Sequence, residues 1–153
     1  MHKYFTNMNP YLSDKYKFHD NLVHGLSFFT EDFQSEVHLD IDHIINWPSC
    51  DGNGSEIFVV SRAMLKFINV TDLFINIDRG KSGYTTSVSG VSIDRIECEE
   101  IETTLRLPTY YKWEIVMSDE CSRISFGSSD MFFELMGTQF SVNRQYLKQC
   151  ERN

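Results

Sequence analysis

The stretch Val37-His38-Leu39-Asp40-Ile41-Asp42 alternates apolar and ionisable residues with a period of two. Side chains on a strand point to opposite faces in turn, so this pattern makes one dry face and one wet face, and no helix can use it. Ile45 extends the dry face, and Trp47-Pro48 ends the strand. The same period runs through Leu22–Phe29, where Leu22, His24, Leu26 and Phe28 share one face and Val23, Gly25, Ser27 and Phe29 the other. It returns at Trp113, Ile115 and Met117, at Ile124 and Phe126 across an Asp119-Glu120 turn, and at Met131, Phe133 and Leu135. The run Ile57-Phe58-Val59-Val60 marks a strand over Glu56–Arg62. Leu65 and Phe67, then Leu73, Ile75 and Ile77, read as inward faces on either side of a bend at 69–72. Ser92–Ile101 fits a short helix or an irregular strand, because Ile93, Ile96 and Ile101 keep neither period cleanly.

These segments amount to about seven or eight strands at hairpin spacing, which predicts a mainly β, antiparallel sandwich or partly open barrel. No helical pattern separates the strands, so a parallel sheet with crossover helices is not expected. Length predicts a single domain over residues 1–153, with 1–17 and 141–153 as peripheral segments. Those segments hold at most a helical turn at 11–17 and another near Tyr146-Leu147. The Gly- and Asn-bearing stretch 49–55 reads as a loop, and the Gly/Ser/Thr-rich stretch 79–90 as a mobile excursion. Twelve Phe, seven Tyr and two Trp supply a core and exclude a disordered chain.

A net charge of −8, with no Lys/Arg cluster, disfavours nucleic acid and anionic membrane, since phosphate binding needs a basic stripe. It suits a basic protein partner. Cys50, Cys98, Cys121 and Cys150 lie at long, irregular gaps that spell no zinc motif. The opening residues are polar and mixed, with no apolar signal core, and no apolar run approaches the roughly 18 residues of a membrane span. The expectation is a cytoplasmic protein with reduced thiols, monomer or homodimer, holding no cofactor.

The residues most suggestive of chemistry are His19, His24, His38, Asp40 and Asp42. Neighbouring strands lie about 4.8 Å apart, so His24 can face His38 or Asp40 across a hairpin, and such a cluster can bind a divalent metal or supply a general base. The wet face of a half-buried strand is polar in any case, and His and Asp fill it equally well without a ligand. Nucleophile motifs are absent, and the calcium-loop match starting at Asp51 fails, with Glu56 where glycine is needed and Arg62 where the bidentate glutamate belongs. The aromatic surplus (Phe28, Phe29, Phe33 and Trp47 among others) fits burial, a ligand pocket or a partner-binding face.

Phe18-His19-Asp20 with Gly25, Leu39 through Trp47, Phe67 through Leu73, Ser92 through Ile96 and Trp113-Glu114-Ile115 together resemble a group of small uncharacterised bacterial proteins. The resemblance spans most of residues 18–140. It implies a bacterial origin and a β-rich fold, and carries over no catalytic residues. A looser analogy is to the immunity proteins of bacterial toxin systems, also small and acidic. The expected function is therefore a non-enzymatic binding or protein-interaction module, of which an immunity-type protein capping a basic toxin is one concrete version. The alternatives are a metal-binding protein or metal-dependent enzyme using the His/Asp cluster, and a small-ligand-binding β-barrel.

Overall fold

The computed structural model describes residues 6–7, 14–49, 56–78, 90–102, 104, 106 and 109–153, the first pair as backbone alone. Among them are ten strands: β1 (Thr6–Asn7), β2 (Leu22–Glu31), β3 (Gln34–Asn46), β4 (Phe58–Ile68), β5 (Thr71–Asn76), β6 (Val91–Glu100), β7 (Tyr111–Met117), β8 (Arg123–Ser128), β9 (Asp130–Leu135) and β10 (Phe140–Val142). One 3-10 turn, Gln149–Glu151, follows. Every pairing is antiparallel, in the order β1-β9-β4-β3-β2-β6-β7-β8-β5, with β10 continuing the place of β9 against Phe58–Val60. The two ends of that order, β1 and β5, do not pair with each other among the described residues, so the sheet is open. The strands beyond the expected seven or eight include β1 and β10, of two and three residues, too short to show a period.

The sheet doubles over so that its two halves share one core. Val37, Leu39 and Ile41 of β3 and Ala63, Leu65 and Phe67 of β4 meet Ile93, Ile96, Trp113, Ile115, Ile124 and Phe126 of the other half. The Phe67 ring stands edge-on to Trp113 at 5.1 Å and to Phe126 at 4.7 Å, the arrangement the ring quadrupoles prefer. Each of these larger side chains contributes about 1.5–3 kcal/mol by leaving water. The halves join along a short seam, Leu22 and Val23 paired with Ser92 and Val91. The turn before β2 reinforces it: Asp20 N–H donates to the Ile93 carbonyl (2.8 Å), and Ile93 N–H to the Asn21 carbonyl (3.0 Å). Phe18, in that turn, is fully buried, whereas Tyr16 is exposed.

Four register slips interrupt the described pairings. The one between Ile44 and Asn46 takes Ile45 off the expected dry face and leaves it only partly buried, and those in β2 and β6 redirect further side chains. In β2 the register slips between Val23 and Gly25, so His24 is an extra residue. Val23 and Leu26 therefore share the core side, not opposite faces as a strict period of two predicts. In β6 the slip falls between Ile93 and Arg95, which puts Ile93 and Ile96 both inward and gives a strand the three-residue spacing of a helix.

Three further expectations need correction. The segment 58–68 is one continuous strand, not a strand ending at Arg62. Leu73, Ile75 and Ile77 are not inward: they are exposed, because β5 closes the strand order and, among the described residues, pairs with β8 alone and contributes nothing to the core. The last helical turn forms at 149–151, not at Tyr146-Leu147, whose leucine is buried as an apolar anchor. The 49–55 loop and the 79–90 excursion fall almost wholly outside the described residues, as do Tyr11 and Leu12.

Candidate functional site

The core takes one face of β3, and the other carries Glu36, His38, Asp40 and Asp42 in line. Their neighbours are Phe29, Ser27, Gly25 and Leu22 on β2, and Ile68, Lys66, Met64 and Arg62 on β4. The line divides into a closed half and an open half.

The closed half centres on Asp42, which is fully buried. Its carboxylate accepts His24 Nε2–H (2.7 Å), the Leu147 backbone N–H (2.8 Å) and the Arg152 guanidinium. The β2 bulge is what brings His24 to this carboxylate, and not to His38 or Asp40. Asp40 accepts Arg62 through Nη2 (2.9 Å) and Nε (3.2 Å), and Arg152 through Nη2 (2.5 Å). Burial pushes the Asp40 carboxyl up, but the hydrogen bonds from Arg62 and Arg152 outweigh it and hold the group below the usual carboxylate range. Beside this network, Leu147 packs with Ile44, Val60, Phe58, Phe140 and Val142 in a small second core on the outer face.

The open half is a groove of about 410 Å³ lined by Phe29, Glu31, Asp32, Glu36, His38 and Lys66. Glu36 accepts His38 Nε2–H (2.8 Å) and Lys66 Nζ (2.9 Å). Burial raises its carboxyl, and the bonds from Lys66 and then His38 bring it below its ordinary value. The Phe29 ring leans on His38 with centroids 4.8 Å apart. Above the groove the β2–β3 hairpin turns through Asp32 (φ 49°) and Phe33 (φ 63°), with Glu31 paired to Gln34. Two residues at positive φ make the two-residue hairpin turn whose twist suits the strands, normally filled by Asn-Gly or Asp-Gly. Phe33 occupies the glycine position with its side chain wholly in solvent, and Phe28 and Phe29 beside it are 65% and 52% exposed.

The five residues singled out as possible metal ligands are thus divided. His24 joins Asp42, and Asp40 lies beside them but is engaged by two arginines. His38 belongs to the open groove. His19 lies at the β6 bulge, with Nδ1 3.0 Å from the Asp94 carbonyl and the Asp20 and Asp94 carboxylates beyond 3.4 Å. Among the described residues, no group of three or more His, Cys, Asp and Glu side chains is arranged to hold a metal ion.

Sequence reasoning passed over Arg62, Lys66, Arg152 and His43. The first two follow from alternation, since both sit on the wet face opposite β3. His43 lies on the core side between the Phe18 and Phe133 rings (5.5 and 5.0 Å), with Nδ1–H donating to Asn21 Oδ1 at 2.8 Å. Burial, aided by the charge of Lys17, pushes its pKa down to about 4, so it is a neutral structural imidazole at pH 7. The Cys98 thiol is pushed up to about 12 by burial, the opposite of an activated nucleophile. No helix among the described residues is long and apolar enough to cross a membrane. No protein-family model matches the chain, and no curated protein or solved structure shows significant similarity to it.

Proposed function

We propose that the protein is a non-enzymatic protein-interaction module that docks through its β2–β3 hairpin and the acidic groove below it. One observation carries this reading: Phe33 is fully exposed at a turn position of positive φ, where an L-residue is strained and glycine is not. A chain that breaks a local rule without a gain in packing does so most readily at a functional site. Phe29 adds exposed apolar surface on the groove face, Phe28 is exposed on the other face of the hairpin, and Glu31, Asp32 and Glu36 rim the groove. An aromatic anchor with an acidic rim suits a basic protein surface: the anchor supplies affinity, the charges speed encounter. The net charge of −8 acts in the same direction. An immunity-type protein that caps a basic toxin is one concrete form of this role.

The test is retention from an extract of the source cells, under mild crosslinking and at two salt concentrations. The expected result is a basic protein held at low salt, weakened by high salt, and lost with Phe29→Ser or Phe33→Gly. Retention of nothing, or equal retention by both variants, removes the reading.

A further inference from the structure

We infer that the closed half of the β3 outer face is a binding site for an arginine-bearing peptide, filled in cis by this chain's own residues 143–152. The inference deepens the proposed function and rests on it for one claim only, that a partner supplies such a segment in trans.

The geometry has the parts of a peptide site. Asp40 and Asp42 receive the two Nη groups of one guanidinium, Arg152, whose side chain is only 7% exposed. Two carboxylates meeting one planar fork is recognition that lysine cannot reproduce. Asp42 also accepts a backbone N–H, from Leu147, as peptide-binding sites commonly fix the main chain of a ligand. Five residues before the arginine, Leu147 fills an apolar seat made by Ile44, Val60 and Phe58. Between these anchors Lys148, Gln149 and Cys150 are exposed, so the segment touches the sheet at its two ends and bows away in the middle. Arg144 pairs with Glu151 inside the segment, and Gln145 reaches Asp20 at 3.3 Å.

The attachment favours exchange. Residues 137–139, which lead into β10, are exposed, and Gly137 stands at φ 114° with nothing near its missing Cβ. β10 adds three ladder pairs. A buried ion pair is strict about geometry yet contributes little net stability, because desolvation offsets most of its attraction. The site is therefore selective for its occupant without holding it tightly. It is also continuous with the open groove along β3, so a basic segment docked at Glu36 and His38 runs on toward Asp40 and Asp42 and meets Arg152 there. The resident arginine then acts as a competitor that an incoming arginine must displace.

The experiment uses chain 1–153 and a synthetic peptide of residues 141–153, dye-labelled at its first residue. In wild type the tethered segment competes at roughly millimolar effective concentration, so the peptide binds Arg152→Ala at least about tenfold more tightly than wild type. A peptide with alanine at its position 152 and Arg144 kept binds neither protein, and adding Asp42→Asn to the Arg152→Ala chain abolishes binding. No peptide binding to a folded Arg152→Ala chain, or binding indifferent to alanine at position 152 of the peptide, overturns the inference. If Arg152→Ala does not fold, a protease site built over residues 137–139 of the otherwise unaltered chain replaces it. The labelled peptide then exchanges with the cut segment under native conditions, and absence of exchange overturns the inference. No partner enters these measurements, so their failure is separate from loss of hairpin docking. Peptide exchange without any docking partner sinks the proposed function alone.

Discussion

Phe33→Gly is expected to make the protein more stable and a poorer binder. A left-handed backbone at Phe33 strains an L-residue by roughly 1–2 kcal/mol, and glycine's larger unfolded-state entropy takes back about 0.4–1 kcal/mol. Nothing is lost from packing, because the Phe33 side chain is fully exposed. The net gain is about 0.5–1 kcal/mol, which in a domain of 153 residues raises Tm by roughly 1–4 °C. Loss of an aromatic anchor at the centre of an interface weakens binding by about 2 kcal/mol or more, roughly 30-fold. Urea unfolding and calorimetry read the first effect, and titration of the retained partner reads the second. Phe33→Asn, which also tolerates positive φ, should follow the glycine variant in both. A fall in Tm refutes the assignment of strain at this turn. Unchanged affinity with a raised Tm refutes the idea that the strain is kept for binding.

Three other outcomes follow from the titrating groups. His43 has a pKa of about 4 when folded against 6.5 for the free side chain, so between these values the unfolded chain binds more protons and stability is lost as the pH is lowered. The full loss by pH 4 is on the order of 3 kcal/mol, since each pKa unit is worth about 1.4 kcal/mol. Unfolding of His43→Gln across pH 7 to 4 should lack this slope, and a slope that persists assigns it elsewhere. Asp40 and Glu36 are held below their ordinary values of 3.8 and 4.5, so their contribution is present above those values and fades as pH drops through the lowered ones. Asp40→Asn should flatten the acid limb of the Tm profile below about pH 4, and an unchanged limb contradicts the Arg62–Asp40–Arg152 network. Iodoacetamide at pH 8 should alkylate the exposed Cys121 and Cys150 well before Cys98, whose thiol is pushed up to about 12. Equal rates by peptide mapping contradict its burial.

The wet face of β3 was legible in the sequence because period two forces His38, Asp40 and Asp42 to one side whatever they do there. The antiparallel class followed from the same period and the missing helical pattern. Bulges were not legible: one extra residue at His24 or Asp94 reverses the faces downstream and leaves no mark in composition. β5 was misread because an edge strand and a core strand share a period, and only neighbours tell them apart. The closed half of the site depends on Arg152 meeting Asp42 across 110 residues, a pairing that no local pattern encodes. Phe33 was visible as one aromatic among many. Its meaning lies in its backbone angle, which became apparent only with the two-residue turn between Glu31 and Gln34.

The most direct test of the interaction account is site-resolved photocrosslinking in the source cells, with a crosslinking residue placed in turn at Phe29, Phe33 and, as a control far along the strand order, Phe74. Crosslinks from positions 29 and 33 to a basic protein, weakened by salt and absent from position 74, are the predicted result. Crosslinks from position 74 alone, or none above background at 29 and 33, contradict a docking hairpin.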